Sequence, residues 1–117
     1  MSRTIFMLVR TTSAWLALTV AQRDEFVGRV LRPVLARHPG VGLRYFDAEA
    51  YSALTTDVLM WETDDDGAYR SLVEALRETA FWGTYFEVRE IVPCVEEDFA
   101  RHYALERIGR PQDPDHS

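Results

Sequence analysis

An arginine and an aspartate on two neighbouring predicted strands form the most reactive pairing in the sequence. Arg44 lies in the strand predicted over Val41–Asp47, and Asp57 lies in the strand predicted over Thr56–Glu62. Alternation along this hairpin predicts that both side chains share one sheet face. In a cavity, Arg44 would stabilise an enolate or carboxylate while Asp57 accepts a proton. A structural cross-strand ion pair explains the same two residues and is the commoner case.

Three aromatic side chains and a second arginine are candidates for substrate binding. Arg10 ends the first predicted strand on the same face, where it would bind an anionic group or simply be solvated. Phe46 and Trp61 would form one side of a site for a flat substrate, or equally the core of a dimer interface. Tyr51 lies in the connection between the second and third strands, and loops often carry reactive groups.

Two further candidates lie in a helix predicted near the C-terminus. His102 could serve as a general base near neutral pH, and Tyr103 adjoins it. Most lone histidines on amphipathic helices have no chemical role, so this remains one of two interpretations. Three separated histidines and a single cysteine indicate no metal site, and we expect no metal or organic cofactor.

The elements that must position these residues follow the order β-α-β-β-α-β. Alternation predicts four strands, over Thr4–Arg10, Val41–Asp47, Thr56–Glu62 and Phe86–Pro93. Helical periodicity predicts helices over Val20–Arg37, Ala68–Glu78 and Glu96–Arg107. Thr19 and Gln22 indicate a capping box, and Pro33 predicts a kink or restart inside the first helix. This order is typical of the α+β ferredoxin-like fold, in which two main helices cover one face of a four-stranded antiparallel sheet.

The sheet face opposite the predicted helices indicates a partner subunit. It combines aromatic and charged side chains, namely Phe6, Leu8, Arg10, Arg44, Phe46, Asp57, Leu59 and Trp61. The first face is almost purely apolar and suits a covering of helices. Because soluble monomers rarely expose large apolar patches, we expect a homodimer in which two such sheets face each other around a cavity.

Length and composition exclude several classes of protein. A chain of 117 residues with 47% apolar residues suits one domain, predicted over residues 1–108 with a flexible tail at 109–117. The net charge of −6 argues against a nucleic-acid surface, which needs a basic patch. No segment is typical of a secretory signal or a membrane span, so a cytoplasmic protein without membrane contact is expected.

Several long strings resemble the darcynin family. They are FDAEAYSA at Phe46–Ala53, TDVLMWET at Thr56–Thr63, LRETAFWGTYFEVREIVP at Leu76–Pro93, HPG at His38–Gly40 and EEDFARHY at Glu96–Tyr103. The similarity spans Thr4 to Tyr103 and implies a dimeric α+β barrel. It carries no activity that can be transferred. Proteins that share only the architecture include cofactor-free quinone-forming monooxygenases, polyketide cyclases, muconolactone-type isomerases and haem-degrading enzymes, so function by this route is analogy.

These observations favour a small cofactor-independent enzyme that acts on a hydrophobic, aromatic or polyketide-like molecule in secondary metabolism, such as antibiotic biosynthesis. Acid–base chemistry in a dry cavity would drive cyclisation, isomerisation, dehydration or lyase chemistry. Cofactor-free oxygenation is an alternative within the same class. A non-catalytic, ligand-binding or stress-related dimeric module is the competing hypothesis.

Overall fold

The computed structural model describes residues 2–96, and in this range the predicted ferredoxin-like fold is confirmed. Four antiparallel strands form one sheet in the order β2-β3-β1-β4. Their bounds are Arg3–Thr11 for β1, Val41–Asp47 for β2, Asp57–Thr63 for β3 and Phe86–Val95 for β4. The helix predicted over Glu96–Arg107 lies outside the described residues.

Helices cover one face of this sheet. After the short helix α1 (Ser13–Leu16), a helical segment runs through α2 (Val20–Phe26), a π-helical turn (Val27–Leu31) and α3 (Arg32–Ala36). The predicted capping box is present, because Thr19 accepts from the Gln22 amide and the Gln22 side chain accepts from the Thr19 amide.

Pro33 explains the π-helical turn. A proline inside an α-helix has no N–H and its ring clashes with the carbonyl four residues earlier. Here the Arg32 amide donates to the Val27 carbonyl, one residue further back than in an α-helix, and α3 then begins with Pro33 in its first turn. The restart expected from the sequence therefore occurs through a widened turn, a form often found at functional sites.

Helix α4 (Asp66–Arg77) begins after an acidic N-cap, Asp65. The Asp65 carboxylate accepts from the amides of Gly67 at 2.8 Å and Ala68 at 3.3 Å. Leu72 and Leu76, one turn apart, are its fully buried residues. They pack on a core that includes Ile5, Met7, Val9, Trp61 and Phe86. The amphipathic pattern of α4 thus places its apolar side on the sheet.

The side-chain directions expected for β3 are wrong. Asp57 pairs with Asp47, Leu59 with Tyr45 and Trp61 with Leu43, so odd positions of β2 and β3 share the helix side. Leu59 and Trp61 are 3% and 1% exposed beneath the helices. Val58 and Met60, expected on the helix side, lie on the opposite face, because a shift of one position reverses every side chain of a strand.

The fourth strand, whose direction was ambiguous from the sequence, contains an irregularity. Leu8 pairs with Glu90, whereas Val9 pairs with Val88, so the register of β1 and β4 shifts at this point. Val88 and Ile91 consequently both face the helical layer, while Glu90 and Val92 lie on the other face. The strand therefore contributes to the core on both sides of a β-bulge.

Candidate functional site

The sheet face away from the helices is apolar at its centre and is not covered by any described residue. We call it the open face and define its centre by Phe6, Leu8, Phe46, Val58, Met60 and Val92. Phe46 and Val92 are 40% and 42% exposed. The charged residues around this centre carry both signs, with Arg10, Arg44, Glu62 and Glu90 all exposed.

Arg44 and Arg10 both lie on the open face, but neither meets Asp57. Arg44 pairs with Met60 in the sheet, and its guanidinium carbon lies 5.2 Å from the centre of the Phe46 ring. The Arg10 guanidinium donates to the Ala53 carbonyl at 2.9 Å and so ties the β2–β3 connection to the end of β1. The predicted Arg44–Asp57 pair is wrong, because the two residues lie on opposite faces.

A separate cavity of about 210 Å³ lies on the helix side. This helix–sheet cavity is lined by side chains of the sheet, the π-helical turn and the aromatic residues beside it, including Trp15, Val27, Leu31, Leu43, Trp61 and Phe86. Its surface is almost wholly apolar. Tyr45 and Arg32 also line it and are exposed, so they mark where it reaches solvent.

The aromatic end of this cavity is held in place by local contacts. Trp15 lies 5.0 Å from Phe86 and 6.1 Å from Phe26, measured between ring centres. Arg23 covers the outer side of the Trp15 ring, 5.5 Å from its centre, and donates to the Trp15 carbonyl. Helix α1 thus fixes Trp15 as one boundary of the cavity.

Trp61, one of the residues that line the cavity, carries an unsatisfied polar atom. The residue is 1% exposed, and its Nε1–H has no hydrogen-bond partner among the described residues. Buried polar groups in proteins nearly always find a partner, so each exception asks for an explanation. The Trp61 N–H is therefore a buried donor within the core, and the cavity lining itself is almost wholly apolar.

Two carboxylates, those of Asp47 and Asp57, lie near Tyr45 at the solvent-facing end of the cavity. Asp47 and Asp57 are direct cross-strand partners on the helix side, and Tyr45 precedes them on β2. Burial, then the charge and hydrogen bonding of Asp57, then the charge of Asp47, raise the pKa of Tyr45 well above its ordinary value. Tyr45 is 52% exposed, and burial together with the two nearby carboxylates opposes ionisation of its hydroxyl, which therefore stays a hydrogen-bond donor. The Thr56 hydroxyl donates to Asp57 at 2.8 Å.

A larger groove along β4 is a poorer candidate. It measures about 540 Å³ and is lined by Trp82, Gly83 and residues 87–91. It is a shallow, open depression with a mixed polar and apolar lining. Ligand sites usually enclose most of a ligand's surface, so the smaller helix–sheet cavity is the better candidate.

The remaining predicted site residues are dispersed. Tyr51 is 92% exposed in the β2–β3 connection, and Phe46 lies on the open face rather than beside Trp61. His102 and Tyr103 lie outside the described residues. The sequence reasoning did not select Trp15, Tyr45 or Leu31 for the site. The sequence contained two signals for this site. Trp15 follows the first predicted strand, and Pro33 disturbs the helix that contains Leu31.

Residues 2–96 were expected to hold neither a metal ion nor a membrane-spanning helix. Within this range no group of three or more histidine, cysteine, aspartate or glutamate side chains is placed to hold a metal ion. In the same range, every helix is too short or too polar to span a bilayer.

Comparison with known proteins identifies the family. The family model described as "Darcynin, domain of unknown function" matches residues 1–110. The chain belongs to the darcynin family. A darcynin homolog of Streptomyces avermitilis is 51% identical over 107 residues, covering 91% of this chain and 88% of the relative. A darcynin homolog of Granulibacter bethesdensis is 46% identical over 109 residues, covering 92% of this chain and 84% of the relative.

The fold resembles that of a larger enzyme. A mutant chlorite dismutase from Candidatus Nitrospira defluvii superposes with a TM-score of 0.69 at 12% identity, covering 82% of this chain. The match spans only 40% of the dismutase chain. At this identity the likeness establishes the ferredoxin-like fold and no activity.

Proposed function

We propose that this darcynin-family protein binds a small apolar molecule in the helix–sheet cavity. The observation that carries the proposal is a space of about 210 Å³ with an almost wholly apolar lining, to which Trp61 contributes. Dry apolar cavities of about 150 Å³ take up benzene. The volume is below the range of about 300–1,000 Å³ for drug-sized ligands, so a molecule of one ring fits better than a polyketide.

Toluene tests this proposal directly. Adding it to the protein should shift the methyl NMR signals of Leu31, Leu35 and Leu76, which line the cavity. Val27→Phe adds volume to the cavity lining and should weaken toluene binding by about tenfold or more, because it fills space that the probe needs.

Val30→Phe is the matched control. Val30 lies in the same π-helical turn but lines an outer groove instead. This variant should bind toluene like the wild type. Shifts confined to the open face, or equal binding by both phenylalanine variants, would contradict the proposal.

A second candidate is the acid–base enzyme suggested by the sequence, acting on a hydrophobic molecule of secondary metabolism. The observation in its favour is that Asp57 adjoins Tyr45, which lines the cavity at its solvent-facing end. Asp57 would take a proton from a carbon beside a carbonyl, and the Tyr45 hydroxyl would donate to the resulting enolate oxygen. Arg44 has no part in this version, because it lies on the open face.

Solvent exchange distinguishes this candidate from simple binding. Acetophenone in D₂O should exchange its methyl protons faster with the protein present, and Asp57→Asn should abolish the gain. Asp24→Asn on α2, at an exposed residue that does not line the cavity, is the control with the same chemical change. If acetophenone binds but its methyl protons exchange no faster, the enzyme proposal is wrong and the ligand-binding proposal remains.

The open face supports a further proposal, that two copies of the chain associate through it. Its apolar centre is of a kind that soluble monomers rarely leave bare. Arg44 on β2 and Glu90 on β4 carry opposite charges at opposite edges of the sheet. When two copies are related by a two-fold axis, Arg44 of one copy can lie opposite Glu90 of the other. This charge complementarity favours a second copy of the chain as the partner.

Sedimentation velocity tests this association. Val92→Glu adds a charge to the open face and should shift a dimer to monomer. Val20→Glu makes the same change at an exposed helical residue, 73% exposed, and should leave the dimer intact. A wild-type protein that sediments as a monomer at all concentrations would refute self-association.

A further inference from the structure

Two carboxylates adjoin the apolar cavity, and no cation of the described residues pairs with them. We infer that the molecule whose apolar part occupies the helix–sheet cavity is an arylalkyl amine, a single ring on a short chain, whose primary ammonium group binds to the carboxylates of Asp47 and Asp57. This inference rests on the proposed binding function and specifies the class of ligand.

The two carboxylates continue the row of side chains that lines the cavity. On the helix side of β2 and β3, successive cross-strand pairs are Leu43–Trp61, Tyr45–Leu59 and Asp47–Asp57. The first two pairs line the cavity, and the acidic pair follows them along the same face. Because a strand rises about 3.4 Å per residue, the acidic pair lies about 7 Å beyond the second pair. A ligand that fills the apolar space therefore needs only a short chain to reach it.

Asp47 and Asp57 specify the charge of the ligand. Like charges directly opposite each other on neighbouring strands are destabilising. Within residues 2–96 neither carboxylate takes part in an ion pair, and Arg32, which lines the cavity, is exposed and bonds to neither. An ammonium group near both carboxylates would replace this repulsion by attraction, whereas an anion would increase it.

Both carboxylates have free capacity to accept hydrogen bonds. Asp47 accepts from the Glu49 amide at 3.0 Å, and Asp57 accepts from the Thr56 hydroxyl at 2.8 Å. An ionised carboxylate has about four acceptor sites, so even with Tyr45 as a further donor to Asp57 some remain free. A primary ammonium group, with three N–H donors, can use the remaining sites.

The volume of the cavity sets the length of the apolar part. Benzene, with six carbon atoms, occupies an engineered cavity of about 150 Å³. In the same proportion, a cavity of about 210 Å³ holds about eight non-hydrogen atoms. A phenyl ring with a two-carbon chain meets this limit. The nitrogen at the end of that chain then lies at the solvent-facing end, where it keeps part of its hydration.

Two probes of the same shape test the inference. Phenethylamine and phenethyl alcohol differ at one non-hydrogen atom, and near neutral pH only the amine is charged. Calorimetry should show that the wild-type protein binds the amine about tenfold more tightly, since each carboxylate contributes about threefold. Asp57→Asn should therefore reduce this ratio about threefold. Asp24→Asn, the same change at an exposed residue outside the cavity lining, should leave the ratio unchanged.

A second readout needs only the wild-type protein. Sodium chloride screens the attraction between charges, so raising its concentration should weaken binding of the amine and leave binding of the alcohol nearly unchanged. If the amine binds no more tightly than the alcohol, if salt affects both alike, or if the two asparagine variants lower the ratio equally, the inference is wrong. Toluene binding that Val27→Phe weakens would then still support the proposed function. If toluene does not bind either, the proposed function fails as well.

Discussion

Two leucines of α4, one turn apart, offer a direct test of whether the helix–sheet cavity is open in solution. Leu72 and Leu76 are 0% and 2% exposed, and both belong to the core. Leu76 lines the cavity, whereas Leu72 does not. The same substitution, leucine to alanine, therefore acts on two equally buried residues that differ in what surrounds them.

The expected costs follow from the atoms that each leucine contacts. Removing three buried carbons costs about 2.4 kcal/mol from hydrophobic transfer alone. At Leu72, tight packing on all sides adds a term for the new void, which brings the total to about 4 kcal/mol. At Leu76, the side chain already borders empty space and loses fewer contacts. Leu76→Ala should therefore cost only about 2.5 kcal/mol.

Urea unfolding followed by circular dichroism measures both values. The dependence of the free energy of unfolding on urea should stay the same in both variants, so that midpoints report stability. The predicted difference is about 1.5 kcal/mol in favour of Leu76→Ala. Equal costs, or a larger cost at Leu76, would mean that the cavity is filled or closed in solution, and the binding proposal would lose its basis.

Three further predictions concern the cap of α4, the buried hydroxyl of the β2–β3 connection and the tyrosine beside the cavity. Asp65→Ala should lower the free energy of unfolding by about 1 kcal/mol through loss of the N-cap, and Asp65→Asn by much less, both measured in urea. Thr55→Val should cost about 1 kcal/mol, since the Thr55 hydroxyl lies 2.6 Å from the Val9 carbonyl; Thr55→Ser should restore most of that loss. Above the ordinary tyrosine pKa of about 10, Tyr45 loses its phenol proton in the unfolded chain but keeps it in the folded protein, where its pKa is raised. The free energy of unfolding therefore falls as the pH rises. Tyr45→Phe should weaken this fall from about pH 9 upward, and an identical pH dependence in both proteins would contradict the raised pKa of Tyr45.

The parts of the fold that depend on neighbouring residues could be predicted from the sequence. The Thr19–Gln22 capping box was correctly located, because a cap is formed by residues within three positions of each other. The order of strands and helices was also right. Alternation and helical periodicity are properties of single segments, and together they specify a ferredoxin-like order.

The direction of the β3 side chains could not be predicted in this way. β3 lies in the interior of the sheet, and both of its faces are apolar, with Val58 and Met60 on one and Leu59 and Trp61 on the other. A strand with two apolar faces does not indicate which one lies beneath the helices. The connection at residues 48–56 sets the register, so the hypothetical Arg44–Asp57 site was misplaced by one position.

The sequence by itself determined the family, the ferredoxin-like order of elements and the ends of the helices, because these depend on local patterns and on long matching strings. Only the tertiary structure decided that Trp61 and Tyr45 share one cavity while Arg44 lies on the opposite face. The physical reason is that hydrogen bonds between strands set the register, and the register decides which side chains the helices bury.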